Sequence, residues 1–190
     1  YTPSSADITA GTVTLTLTTN DPSGPCTALS NSMTLTIDAA PTAADAGGDQ
    51  VQCDNGSFTM TGNAASVGQG TWTKISGTAT ITSIHSATTS VTGIPAGSSA
   101  TLRWTIVNGT CSTYDEVVLS NNLAATVGAG SDQTVCEGST ATMAGSFGGG
   151  ASSATWTTSG TGTFSSSTSA AAVYTPSSAD ITAGTVTLTY

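Results

Sequence analysis

Four cysteines, Cys26, Cys53, Cys111 and Cys136, are the residues of this sequence best suited to chemistry. Thiols can bind a metal or oxidise to disulfides. Structural zinc sites use tight clusters such as CxxC, and no two of these cysteines come that close in the chain. The lone His85 has no second ligand beside it. No metal is therefore expected. Oxidation fits the composition better, because a chain whose only strong bases are Lys74 and Arg103, with a net charge of −9, suits an extracellular compartment, where paired thiols persist.

Other candidates are weaker. Asp115 and Glu116 are adjacent, so in a strand they point to opposite faces and cannot act as an acid–base pair. His85 follows a strand in a Ser- and Thr-rich turn and reads as a solvated residue. Asp38, Asp45 and Asp49 suggest calcium, but that ion takes six to eight oxygens and these dispersed carboxylates form no DxDxG-type loop. They read as turn formers and solvating charges. Trp104, next to Arg103, could stack on a sugar; its alternation with Leu102 and Ile106 makes it a core residue of a strand instead. Asn55 and Asn108 stand in formal N-x-S/T sequons. No catalytic residue and no cofactor are expected, and the chain is read as not an enzyme.

The elements that must hold these residues are strands. Charged residues make up 7% of the chain, against about 25% in an ordinary soluble domain. Thr and Ser fill about a third of it. Threonine is both β-branched and hydroxylated, which suits the wet face of a sheet. No basic patch exists to hold nucleic acid. No apolar run approaches the roughly 18 residues of a membrane span, so membrane insertion is not expected either.

Alternation places the strands. Val13, Leu15 and Leu17 alternate with threonines, and Met33, Leu35 and Ile37 do the same, which predicts a hairpin around a turn cluster at residues 20–25. Residues 38–45, DAAPTAAD, read as a linker. Strands follow near 58–61, 71–75, 78–82, 90–92, 101–107 and 115–119, and residues 121–128 read as a second linker. Short strands separated by regularly recurring turn signals fit a β-sandwich.

The sequence also repeats itself. Residues 1–16, YTPSSADITAGTVTLT, recur unchanged at 174–189, a shift of 174 − 1 = 173. AGGDQVQC at 46–53 matches AGSDQTVC at 129–136, a shift of 129 − 46 = 83, and Trp72 and Trp156 hold equivalent places. A 173-residue period with two related modules is expected, cut at an arbitrary phase. Residues 1–45 are then the C-terminal half of a module begun in the preceding repeat, 46–128 a complete module, and 129–190 the start of a module completed by the next repeat. Cys26 is equivalent to Cys111, and Cys136 to Cys53. One disulfide per module follows: Cys53 with Cys111, and Cys136 with Cys26 of the next repeat, each worth about 4 kcal/mol for a loop of this size.

The order AGxDQTVC, Trp strand, YTPSSADITAGTVTLTLT, Cys turn and SMTLTID resembles the tandem immunoglobulin-like or PKD-like repeats of giant secreted surface adhesins and fibre-like stalks of Bacteroidota. The resemblance covers essentially the whole chain. It implies an all-β fold of tandem immunoglobulin-like sandwiches, export to the cell surface through a type IX route, and a structural or adhesive role. The expected function is a structural repeat unit of a secreted extracellular fibre, a covalent tandem array whose partners are adjacent copies of itself. Two alternatives stand beside it: an adhesin repeat that binds polysaccharide or another cell surface, and a self-assembling filament subunit completed by a neighbouring chain.

Overall fold

The computed structural model describes residues 1–20 and 24–190; the middle of the expected turn at 20–25 lies outside the described residues. The chain is mostly β, and it divides into two compact units, one of residues 1–52 and 56–120, the other of residues 53–55 and 121–190.

The first unit opens with a six-residue helix, α1 (Ser5–Ala10). Ser4 and Asp7 form a reciprocal capping box at its start, and Gly11 closes it in the left-handed region at φ 73°, a conformation open to glycine without steric cost. The hairpin β1 (Thr12–Thr18) and β2 (Ser30–Thr36) follows, antiparallel from Thr12↔Thr36 to Thr18↔Ser30. Then come β3 (Gln50–Cys53), β4 (Phe58–Thr61), β5 (Gln69–Ser76), β6 (Thr80–Ile81), β7 (Thr88–Thr92), β8 (Ser98–Asn108) and β9 (Cys111–Asn122). Apart from the hairpin, they form two sheets, β3-β9-β8-β5 and β4-β7-β6.

Both sheets feed one core. Phe58, Met60 and Val91 from one, and Trp72, Leu102, Trp104, Ile106, Val117 and Leu119 from the other, form a single buried cluster. Each such side chain contributes about 1.5–3 kcal/mol by leaving water. Trp72 and Trp104 face each other across β5 and β8 with ring centroids 5.0 Å apart. Their indole N–H groups donate to the carbonyls of Ser86 (3.0 Å) and Asn63 (3.1 Å), so neither is buried unpaired.

β3 runs parallel to β9. Contacts advance together along the two segments: Ala44 N–H to Thr113 Oγ1, Ala46 N–H to Asp115 Oδ2, Asp49 Oδ1 from Val118 N–H, and Asp54 N–H to the carbonyl of Asn122. This strand was not expected from the sequence, since the alternation in Gln50–Cys53 runs for only four residues. Residues 38–45 have no helix or strand, yet they are pinned: Thr42 N–H donates to the Val67 carbonyl and Asn63 Nδ2 to that of Ala43.

The second unit contains β10 (Ala125–Gly128), β11 (Ala141–Thr142), β12 (Ser146–Gly149), β13 (Thr157–Thr158), β14 (Thr163–Phe164), β15 (Val173–Thr175), the helix α2 (Ser178–Ala183) and β16 (Leu188–Thr189). Residues 121–128, expected as a linker, instead carry the end of β9 and all of β10, which pairs with β12. The short Ala-Thr-Val-Gly segment finds its ladder in tertiary context rather than in its own pattern. The sheets here are small: β10-β12, β11-β15-β14 and β13-β16. Ala141, Met143, Trp156, Ala172 and Tyr174 are buried, with Phe164, Val186, Leu188 and Tyr190 half-buried around them.

Candidate assembly interface

The segment that occurs twice has one local structure and two surroundings. Both copies form the capped helix, with Ser4 and Asp7 in one and Ser177 and Asp180 in the other. Tyr174 is 1% exposed, however, while the identical Tyr1 is 69% exposed. Around the second copy Asp180 is buried and accepts from Tyr174 Oη (2.7 Å), Thr161 N–H (2.9 Å), Gly162 N–H (2.9 Å) and Ser177 N–H (3.0 Å). The Thr161 amide above all, then the Tyr174 hydroxyl, hold its carboxyl down to about 2. Burial in turn pushes the Tyr174 hydroxyl up. Asp7 accepts from the Tyr1 hydroxyl and from Ser4, the former lowering its pKa most. The counterparts of Thr161 and Gly162 have no place in residues 1–16. The first copy is a lid without its box.

Equivalent bonds fix how the two units correspond. Gln50 Nε2 donates to the Thr59 carbonyl and Gln133 Nε2 to that of Thr142. Trp72 N–H donates to the Ile84 carbonyl and Trp156 N–H to that of Ser167. A Cβ on Gly62 would meet Trp72 and Trp104, and one on Gly145 would meet Trp156 and Tyr190. Tyr190 therefore takes the place of Trp104, stacked on Trp156 with centroids 4.5 Å apart. β16 corresponds to β8, and so does β1.

That correspondence exposes what the second unit lacks. β8 lies between β5 and β9, whereas β16 pairs with β13 alone. Gln50–Cys53 is a strand beside β9, but residues 133–136, with the same motif, are not a strand. A groove of about 780 Å³ lies open there, lined by Cys136, Met143, Trp156, Tyr174, Val186 and Leu188 among others.

The first unit carries the reverse. On one face of the β1–β2 hairpin, hydroxyls pair across the strands, Thr16 with Ser32 and Thr18 with Ser30, each at 2.8 Å. On the other face lie Leu15, Leu17 and Met33, and Leu17 and Met33 are 79% and 60% exposed. A sheet face of this kind normally packs against another layer.

The cysteines stand otherwise than the spacing suggested. All four are free thiols, with Cys26, Cys53 and Cys136 exposed. Cys53 precedes Asp54, whose amide is bonded to Asn122 at the end of β9, while Cys111 begins β9. Twelve extended residues span about 40 Å, and a disulfide needs Cα atoms within about 7 Å. Cys53 and Cys111 lie at opposite ends of the module and do not pair. The expected bond of Cys136 to Cys26 of the next repeat rested on the same equivalence and involves a second copy of the chain. A parallel β3–β9 pair sends both N-terminal and C-terminal strands toward the same pole, which spacing alone does not reveal.

The remaining candidates are accounted for by structure. Asp115 caps the Ala46 amide while its neighbour Glu116 pairs outside with Arg103 Nη2 at 2.6 Å. Asp38, Asp45 and Asp49 each hold a different amide, those of Thr110, Gly47 and Val118. Among the described residues no three His, Cys, Asp or Glu converge. His85 is exposed, its Nδ1 3.2 Å from Thr71 Oγ1. Trp104 is 2% exposed, out of reach of a sugar. In comparison with known protein families and curated proteins, the chain matches none.

Proposed function

We propose that this chain is a repeat unit of a covalent tandem array of immunoglobulin-like β-sandwiches, exported to the cell surface as an extracellular fibre or stalk. The carrying observation is the pair of identical segments with unequal burial, Tyr174 at 1% and Tyr1 at 69%. In the array, residues 1–37 of each period enter the module begun at residue 129 of the period before. Leu17 then lies where Tyr190 lies against Trp156, and β2 supplies the missing counterpart of β9. The exposed apolar face and the open groove are two halves of one core.

A two-sheet module with β3 parallel to β9 and a Trp pair at its centre fits the immunoglobulin-like resemblance. The scarcity of charge, the Thr-rich faces and the absence of converging acid–base groups among the described residues suit an inert structural module. Assembly from separate short chains is less consistent with the duplication, because residues 174–189 already fill the slot that an incoming 1–16 would need.

The mass of the native material on a denaturing gel with reductant tests the array. A species many times 18.5 kDa is expected. A reduced chain of about one period would sink the covalent array and leave a filament of short subunits.

A further inference from the structure

We infer that two side chains, Asn31 and Asp132, set the register in which one repeat completes the module of the repeat before it. Asn31 of the following repeat accepts from the Ala129 amide, and Asp132 accepts from the following repeat's Thr34 amide. The inference rests on the tandem reading and names the two edges that meet, residues 30–37 and residues 129–133.

The complete module shows the same joint already filled. There β9 is fixed beside β3 by Asp115 Oδ2, which accepts from Ala46 N–H at 2.9 Å, and by Asp49 Oδ1, which accepts from Val118 N–H at 2.8 Å. The receiving edge has the same local structure in the second unit. Gly47 and Gly130 both turn in the left-handed region, at φ 81° and 87°. A Cβ on the first would meet Thr61 and one on the second Ala144, positions 144 − 61 = 83 apart. Ala129 and Asp132 therefore stand as Ala46 and Asp49 do. Ala46 is 1% exposed, however, whereas Ala129 and Asp132 lie open.

Internal equivalence gives the incoming edge its register. Trp72 faces Trp104, and the ladder through Thr157↔Thr189 sets Trp156 against Tyr190, whose place in the first copy belongs to Leu17, since 190 − 173 = 17. A two-residue turn joins β8 to β9, so Asn108 faces Cys111, and the Arg103–Glu116 ion pair keeps that register; Trp104 then faces Asp115. In the hairpin Leu17 faces Asn31. Asn31 thus takes the place of Asp115, and Met33, Thr34 and Leu35 take those of Val117, Val118 and Leu119. Val117 and Leu119 are fully buried, while Met33 is 60% exposed.

The edge of β2 points the right way. Thr19 N–H donates to the Leu29 carbonyl and Ile37 N–H to that of Gly11, so the odd residues of β2 bond β1. Ser32, Thr34 and Thr36 turn their backbone groups to the other edge, where among the described residues no strand pairs. Thr34 N–H therefore faces outward, as Val118 N–H faces Asp49. Asn31 Oδ1 already lies on that edge, accepting from Ser32 N–H at 2.9 Å, and an amide oxygen has a second lone pair for Ala129. A slip of one residue would turn Met33 and Leu35 out of the core. A slip of two would keep the faces but set Leu29 or Met33, neither an acceptor, against the Ala129 amide. Asn31 selects one register from those the apolar pattern allows.

Hydrogen exchange separates this register from the array itself. The 190-residue chain is compared with a protein of two successive periods, residues 1–173 followed by 1–190, and peptides spanning residues 129–136 and 30–37 are read by mass. The single chain should show one population for each peptide. The two-period protein should show two equal ones, the slower from its single filled junction. Asn31→Ala in the second repeat should speed the slow half of residues 129–136 roughly two- to ten-fold, the worth of one hydrogen bond. Asp132→Ala in the first repeat should do the same to residues 30–37. Asn31→Asp, which restores the acceptor found at Asp115, should leave the slow half slow. A two-period protein with no slow half would sink the tandem reading and the inference with it. A slow half that neither alanine variant moves, or that Asn31→Asp speeds as much as Asn31→Ala, would overturn the register and leave the array standing.

Discussion

Gly70 is where the core leaves least room: a Cβ there would lie 2.0 Å from Trp104 Cζ2. Gly70→Ala must push apart the Trp72–Trp104 pair, and overpacking of this kind costs about 1–3 kcal/mol. Gly48→Ala, where nothing lies within 4 Å, is the control. Urea unfolding followed by tryptophan fluorescence should give a lower midpoint for the first and an unchanged one for the second; equal midpoints would remove the tight Trp pair from the account. In the second unit the sensitive residue is Asp180. Its folded pKa of about 2 lies below the roughly 3.9 of an unfolded aspartate, so the folded state favours the charged form. Its stabilisation is complete above about pH 4 and is lost as pH falls toward 2. The second unit should therefore lose stability over that window, and Asp180→Asn should be less stable at neutral pH and flatter in acid. An unchanged acid profile in the variant would show that the carboxylate does not carry the cluster.

At the scale of the element, sequence and structure agree wherever alternation is clean. Val13, Leu15 and Leu17 against threonines gave β1, and Leu102, Trp104 and Ile106 gave β8 with its buried face. Elements held by context escaped: β3 is four residues long and exists beside β9, and β10 lies in what reads as a linker. The Cys53–Cys111 expectation missed the structure for the same reason, because it depends on the parallel direction of β3, which no local pattern encodes. The hairpin offers a direct test of its missing partner. Leu17 is 79% exposed, so Leu17→Ser should leave the melting temperature of the 190-residue chain unchanged. In a protein of two successive periods the second Leu17 should be buried against Trp156, and the same change should cost about 1.5–3 kcal/mol. Equal behaviour in both proteins would mean that β1 and β2 complete no core.

For the whole molecule, strand length sets a ruler. β9 has 12 residues, which at about 3.3 Å each gives roughly 40 Å. If successive modules enter and leave at opposite poles, each adds about 40 Å and each two-module period about 80 Å of contour. If the proposed array forms, negative-stain images of the native material should therefore show a beaded thread with a spacing of about 40 Å. A bead spacing far below the length of β9 would mean that modules do not join pole to pole.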